Sequence, residues 1–236
     1  MADTGKPSAR RQFVNFAFFK VSPEWRRLSF DERHEHKQEA ARVLHRWNND
    51  DMRILTYSNM GLSAEAEFMV WRICYSLDCL SSAHTDFMKT KFGAYVQNTH
   101  SYLGMTKRSQ YLIGKEHDHH HALRDYIKPG GTRYLIVYPF TKTREWYLRA
   151  FEDRQRIVGE QIKALGEFPR VRMNSVYSYG LDDNEFVIAL ECDFPEDLVE
   201  MGMRLREVEN SVFVLKDTPR FTSIKVTPEE MLDRIG

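Results

Sequence analysis

Tyr138-Pro139-Phe140-Thr141-Lys142 sets a phenol and a primary amine four residues apart, and Trp146-Tyr147 follows one helical turn later. A tyrosine so placed could serve redox or proton transfer, with Lys142 close by. On spacing alone, an interfacial tyrosine beside a solvated lysine is the simpler reading. A second concentration is His117, His119, His120 and His121 in the run HDHHH. Imidazoles bind transition metals, but contiguous ones point in different directions, so a real site uses one or two of them. A solvated loop or helix start is the plainer alternative. Gln161 lies at the margin of an apolar helix face beside Val158 and Leu165, where an amide could face a pocket or mark the edge of a buried stripe. Met173 shares a strand face with Val171, Ser175 and Tyr177 and by default belongs to a core. The phosphate loop G-x-x-x-x-G-K-[ST], the dinucleotide fingerprint G-x-G-x-x-G, the nucleophile elbow G-x-S-x-G and the haem-attachment motif C-x-x-C-H are all absent.

The elements that must position these residues follow from periodicity. Residues 13–21 (FVNFAFFKV) read as a strand. Ser29 and Glu32 have capping-box spacing, and Ala40, Val43, Leu44 and Trp47 then recur at helical intervals. Strands are expected near 52–57 and 67–75, and a helix over 78–95; the next forty residues are less regular. The pattern then restarts. A strand over 133–138 precedes a helix over 145–165, strands over 171–179 and 185–192, a helix opened by Pro195, and a last strand from about Ser211, with 221–226 extending or following it. Each half therefore reads β-α-β-β-α-β, the split ferredoxin-like order. The expected fold is α+β: two ferredoxin-like halves, residues 12–125 and 126–236, forming an α/β-barrel subunit behind a short tail over 1–11.

The 236 residues allow one or two domains. Hydrophobic residues at 42% and aromatic residues at 13% are too many for a disordered chain. Lys+Arg and Asp+Glu are 34 each, so no global field draws the protein to nucleic acid or an anionic membrane. No apolar run reaches the ~18 residues of a membrane span, and the start MADTGKPSARR has no apolar signal region. Cys74, Cys79 and Cys192 are odd in number and sit in apolar stretches, as reduced thiols of a cytoplasmic protein would.

The order Tyr138 to Lys142, Trp146-Tyr147, then Y-S-Y-G-L-D-D-N-E-F from Tyr177 to Phe186, Glu191 to Asp193, Leu205 to Glu209 and D-T-P-R-F-T from Asp217 to Thr222 resembles the chlorite dismutase / coproheme decarboxylase superfamily. Phe16 to Lys20, Pro23-Glu24-Trp25 and Met69 to Trp71 extend the resemblance into the first half. It implies a haem pocket in the second half, a homo-oligomeric ring, commonly a pentamer, and a haem b or coproheme ligand. The activities it implies are peroxide-dependent decarboxylation of coproheme and chlorite breakdown.

By that resemblance Tyr138 matches the radical-relay tyrosine, Lys142 an assisting lysine, His121 a distal histidine and a candidate iron ligand, and Trp146 a pocket tryptophan. Met173 falls where chlorite dismutases carry an arginine, which speaks against chlorite dismutation because a thioether cannot hold an anionic oxidant. Gln161 falls on the proximal histidine, and no histidine lies between Ala122 and Gly236. An amide oxygen is a poor ligand for haem iron. Three readings follow: a haem or coproheme protein with altered ligation and some oxidoreductase activity, a non-haem paralogue using the barrel for another small ligand or as a scaffold, and an assembly protein. In the second, Gln161 records the loss of haem, and no cofactor is expected.

Overall fold

Aromatic and β-branched side chains of β1 (Phe13–Val21) bury both of its faces. Val14, Phe16 and Phe18 enter one apolar cluster, and Ala17, Phe19 and Val21 another. The computed structural model describes residues 11–112 and 126–236. Helix α1 (Phe30–Trp47) starts where Ser29 and Glu32 form the expected capping box. Strands β2 (Met52–Ser58) and β3 (Phe68–Cys74), helix α2 (Leu77–Met88) and strand β4 (Val96–Met105) complete the first half. The second half runs through β5 (Tyr134–Lys142), α3 (Arg144–Leu148), α4 (Phe151–Gly166), β6 (Arg172–Tyr177) and β7 (Phe186–Cys192). It closes with α5 (Glu196–Arg206), β8 (Val214–Lys216), β9 (Phe221–Val226) and α6 (Pro228–Ile235). The order is the duplicated ferredoxin-like one.

The strands pair in the order β7-β6-β4-β1-β3-β2-β9-β5-β8, and β7 also pairs with β5. The succession of pairings therefore returns on itself through eight strands. The β5–β7 join is long, from Tyr134↔Cys192 to Phe140↔Phe186, whereas β4 meets β6 at the single pair Met105↔Tyr177.

One apolar cluster draws on both halves, with Phe16, Trp71, Leu135, Val137, Val187 and Phe221 among its members. The other sheet face differs between halves. Under α1, α2 and α6 it is filled by Trp25, Phe19, Phe68, Phe87 and Phe92. In the second half Ile136, Tyr138, Leu190 and Met201 form a smaller cluster, with half-buried Leu165, Met173, Ile188 and Leu205 around it. Fewer large side chains there leave room between sheet and helices.

Several expected boundaries move, each for a local reason. The helix read over 145–165 is two helices, because Arg149 and Ala150 are extended, with ψ of 152° and 148°. No Gly or Pro marks that break. Strand β5 continues through Pro139 to Lys142, and Pro139 lies beyond the last β9 pair at Val137, where a missing N–H costs little. Helix α2 stops at Met88 rather than Tyr95. Thr90 Oγ1 donates to the Phe87 carbonyl at 2.7 Å and accepts from Gly93 N at 2.9 Å, which redirects the chain. A Cβ on Gly93 would stand 2.5 Å from the Phe87 oxygen. Residues 209–213 form a 3-10 helix before β8 rather than a strand start.

Strand β4 lies in the stretch read as irregular, and α6 was not expected. Thr227, Pro228 and Glu230 start α6 with a capping box, and its Met231, Leu232 and Ile235 pack into the first-half cluster. Cys74 and Cys192 are buried free thiols, and Cys79 is a half-buried one. Among the described residues no helix is long and apolar enough to cross a membrane.

Candidate functional site

The room left in the second half is a cavity of about 790 Å³ between the sheet face of β5, β6 and β7 and helices α3, α4 and α5. Tyr138, Lys142, Trp146, Gln161 and Met173 all line it. Five of the six residues singled out from sequence are thus brought together; His121, with His117, His119 and His120, lies outside the described residues. Alternation along β5 puts Tyr138 and Lys142 on one side. Register joins them to Met173: Tyr138 pairs with Ile188 and Met173 with Leu190 across β7. Met173 is only half-buried, so its thioether borders the cavity rather than a closed core.

Lys142 is 6% exposed. Its Nζ donates to Asn210 Oδ1 and stands 3.8 Å from the centroid of the Trp146 ring. Asn210 Nδ2 in turn donates to Gln161 Oε1 at 2.6 Å. Lysine, asparagine and glutamine therefore form one chain, and the amide oxygen at position 161 already has a donor. Burial pulls the Lys142 ammonium down to about 7, against a smaller upward pull from Glu185. The face of Trp146 also favours the cation.

Glu185 closes the other side. It accepts from the Lys142 backbone N–H at 2.8 Å and from the Tyr147 hydroxyl, and Arg144 approaches at 3.6 Å. Burial, then the bonds to Glu185 and Tyr179, push the Tyr147 phenol upward. Tyr138 is 8% exposed, with the Arg220 guanidinium 4.1 Å from its ring centroid. Burial raises its phenol above the ordinary value and Arg220 opposes that only in part, so the hydroxyl stays protonated at neutral pH. Asp217 holds Arg220 at 2.6 Å and Arg206 at 3.1 Å.

Sequence reasoning missed Asn210, Glu185 and Arg220 as site residues. Glu185 and Arg220 sit inside quoted motifs, so a signal existed. Asn210 directly follows one, and only tertiary packing sets it between Lys142 and Gln161.

The lining fits the macrocycle of a tetrapyrrole. Ile162, Leu165, Ile188, Leu190 and Leu205 supply apolar wall, and the volume falls within the roughly 300–1,000 Å³ of small-molecule sites. The described lining does not fit histidine-ligated iron. Among the described residues no histidine or cysteine lines the cavity, and no group of His, Cys, Asp and Glu side chains could hold a metal ion. Charge is one-sided: Arg11, Lys107, Lys142 and Arg154 border the cavity, and no Asp or Glu among the described residues does.

Known proteins match this chain in sequence and in fold. The coproheme decarboxylase of Mycolicibacterium smegmatis is 28% identical over 180 residues, covering 76% of this chain and 75% of that protein. The chlorite dismutase of Ideonella dechloratans is 26% identical over 189 residues, covering 78% of this chain and 65% of that protein. The solved chlorite dismutase of Candidatus Nitrospira defluvii in complex with imidazole superposes with a TM-score of 0.84 at 21% identity, over 95% of this chain and 94% of that one. A mutant of that enzyme superposes at 0.86 with 22% identity, over 95% of both chains. The sequence model described as chlorite dismutase matches residues 33–226. On that match, which spans most of both halves, the protein belongs to the chlorite dismutase family.

Proposed function

We propose that this protein binds a tetrapyrrole of the haem and coproheme class, held by enclosure and by cations rather than by a histidine on the iron. The observation that carries the reading is the apolar cavity of about 790 Å³ whose wall gathers Tyr138, Lys142, Trp146, Gln161 and Met173. The coproheme decarboxylase relative supports the ligand class. Apolar side chains exclude water from the ring, Lys142 meets a ligand carboxylate, and Tyr138 keeps its proton beside it. Haem iron, where bound by a family member, supplies redox chemistry. Among the described residues the cavity offers no imidazole to support it, so this reading stops at binding and does not include peroxide-dependent decarboxylation. The homo-oligomeric ring is, and exposed Val199, Met203, Val212 and Leu215 are apolar surface that an interface would cover.

Absorption titration with coproheme and with haem b tests the proposal. Saturation at one per chain with a shifted Soret band is the expected result. No saturation with either would favour a second reading, a non-haem member holding another apolar ligand. The Gln161–Asn210 bond favours that reading, because it gives the amide oxygen a hydrogen-bond partner within the protein.

The pH dependence of binding follows from Lys142. Its ammonium is full below about 7 and is lost as pH rises through that value, and an anionic ligand shifts the loss somewhat higher. Affinity for a carboxylate-bearing tetrapyrrole should therefore fall by about fivefold between pH 6 and pH 9. In Lys142→Met the same titration series should be flat; an unchanged slope would remove Lys142 from carboxylate binding.

A further inference from the structure

We infer that the cavity recognises a carboxylate-bearing macrocycle and not its metal, so an iron-free porphyrin carrying four carboxylates binds as tightly as its iron complex. This rests on the tetrapyrrole reading above and narrows it.

The first ground is the state of the polar groups where an axial ligand would have to come from. Gln161 Oε1 accepts from Asn210, and Asn210 Oδ1 accepts from Lys142 Nζ. None of these three side chains has a buried polar atom without a partner. A site built around an axial metal bond would hold a donor free for it. Here each of the two amide oxygens accepts a hydrogen bond from a neighbouring side chain instead, and no imidazole or thiolate stands beside them among the described residues.

The second ground is charge. Four cations border one void; Arg11 and Lys107 are exposed and screened by solvent, while buried Lys142 and half-buried Arg154 face the apolar space, where an anion would be favoured. Lys142 is buried, and Arg154 has its Nε buried without a hydrogen-bond partner while its Nη1 reaches the Tyr111 hydroxyl at 3.1 Å. Glu185, the carboxylate next to the site, cannot neutralise them, since Tyr147, Arg144 and the Lys142 backbone already engage it. A flat ligand with several carboxylates answers both the apolar wall and the four cations. The metal at its centre meets no imidazole or thiolate among the described residues and adds little.

Equilibrium titrations of the full chain with coproporphyrin, coproheme and protoporphyrin, followed by porphyrin fluorescence and Soret absorption, test this. The dissociation constants of coproporphyrin and coproheme should agree within about tenfold. Protoporphyrin, with two carboxylates, should bind about tenfold more weakly than coproporphyrin, and Arg154→Gln should narrow that gap by about fivefold, whereas Arg154→Lys keeps it. Circular dichroism of both variants would confirm that they fold. A preference for coproheme over coproporphyrin beyond about tenfold would put a protein ligand on the iron and overturn the inference, leaving tetrapyrrole binding intact. Equal binding of coproporphyrin and protoporphyrin would overturn the charge argument. Binding of none of the three would overturn the tetrapyrrole reading itself.

Discussion

Gln161→His combined with Asn210→Glu should tighten coproheme binding by about a hundredfold and give iron-free coproporphyrin no such gain. Position 161 lies on α4 and lines the cavity. An imidazole there offers a nitrogen to iron from one side of its ring and an N–H from the other. The neighbour now presenting itself to that position is the Asn210 amide nitrogen, a donor, which does not suit the imidazole N–H. A carboxylate at 210 accepts that proton and also answers the Lys142 ammonium, so both buried partners are satisfied. Gln161→His alone should therefore gain less, about tenfold. Titrations of wild type, single and double variants with iron-loaded and iron-free ligand separate the effects. Equal coproheme affinity in the wild type and a folded double variant would mean that position 161 does not lie beneath the iron.

Trp146→Ala should lower the melting temperature by roughly 10 °C. Trp146 is 2% exposed, with ring centroids 5.4 Å from Phe213 and 6.1 Å from Tyr111. Truncating a buried tryptophan costs about 3–5 kcal/mol, and a domain of this size melts about 2–4 °C lower for each kcal/mol lost. The substitution also strips Lys142 of the ring beneath its ammonium. Trp146→Phe keeps most of the packing and should melt within a few degrees of wild type, roughly 3 °C. Scanning calorimetry of the three proteins decides it. A melting temperature unchanged in Trp146→Ala would show that the ring is not a structural part of the cavity wall.

The fold was largely legible because its signals are local. The aromatic and β-branched run marked β1, alternating apolar residues marked β7, and the capping box at Ser29 marked α1. Where a boundary depended on tertiary contacts it was not legible: nothing in Leu148-Arg149-Ala150 announces the break between α3 and α4. The capping box at Thr227 was equally local and went unread. The cavity wall was legible through motif order, which set Tyr138, Lys142, Trp146, Gln161 and Met173 in sequence long before they meet in space. Asn210 was not, because its role comes from lying between two side chains 68 and 49 residues away. The contrast between the aromatic-filled first half and the hollow second half was hidden too. Both halves are rich in apolar residues, and only packing shows which of them closes.

The most direct measurement is resonance Raman spectroscopy of the ferrous coproheme complex of the wild-type protein. The expected spectrum has no iron–imidazole stretching band, because the cavity holds the macrocycle without a histidine on the metal. A clear band of that kind would contradict this, and would place one of the protein's histidines on the iron.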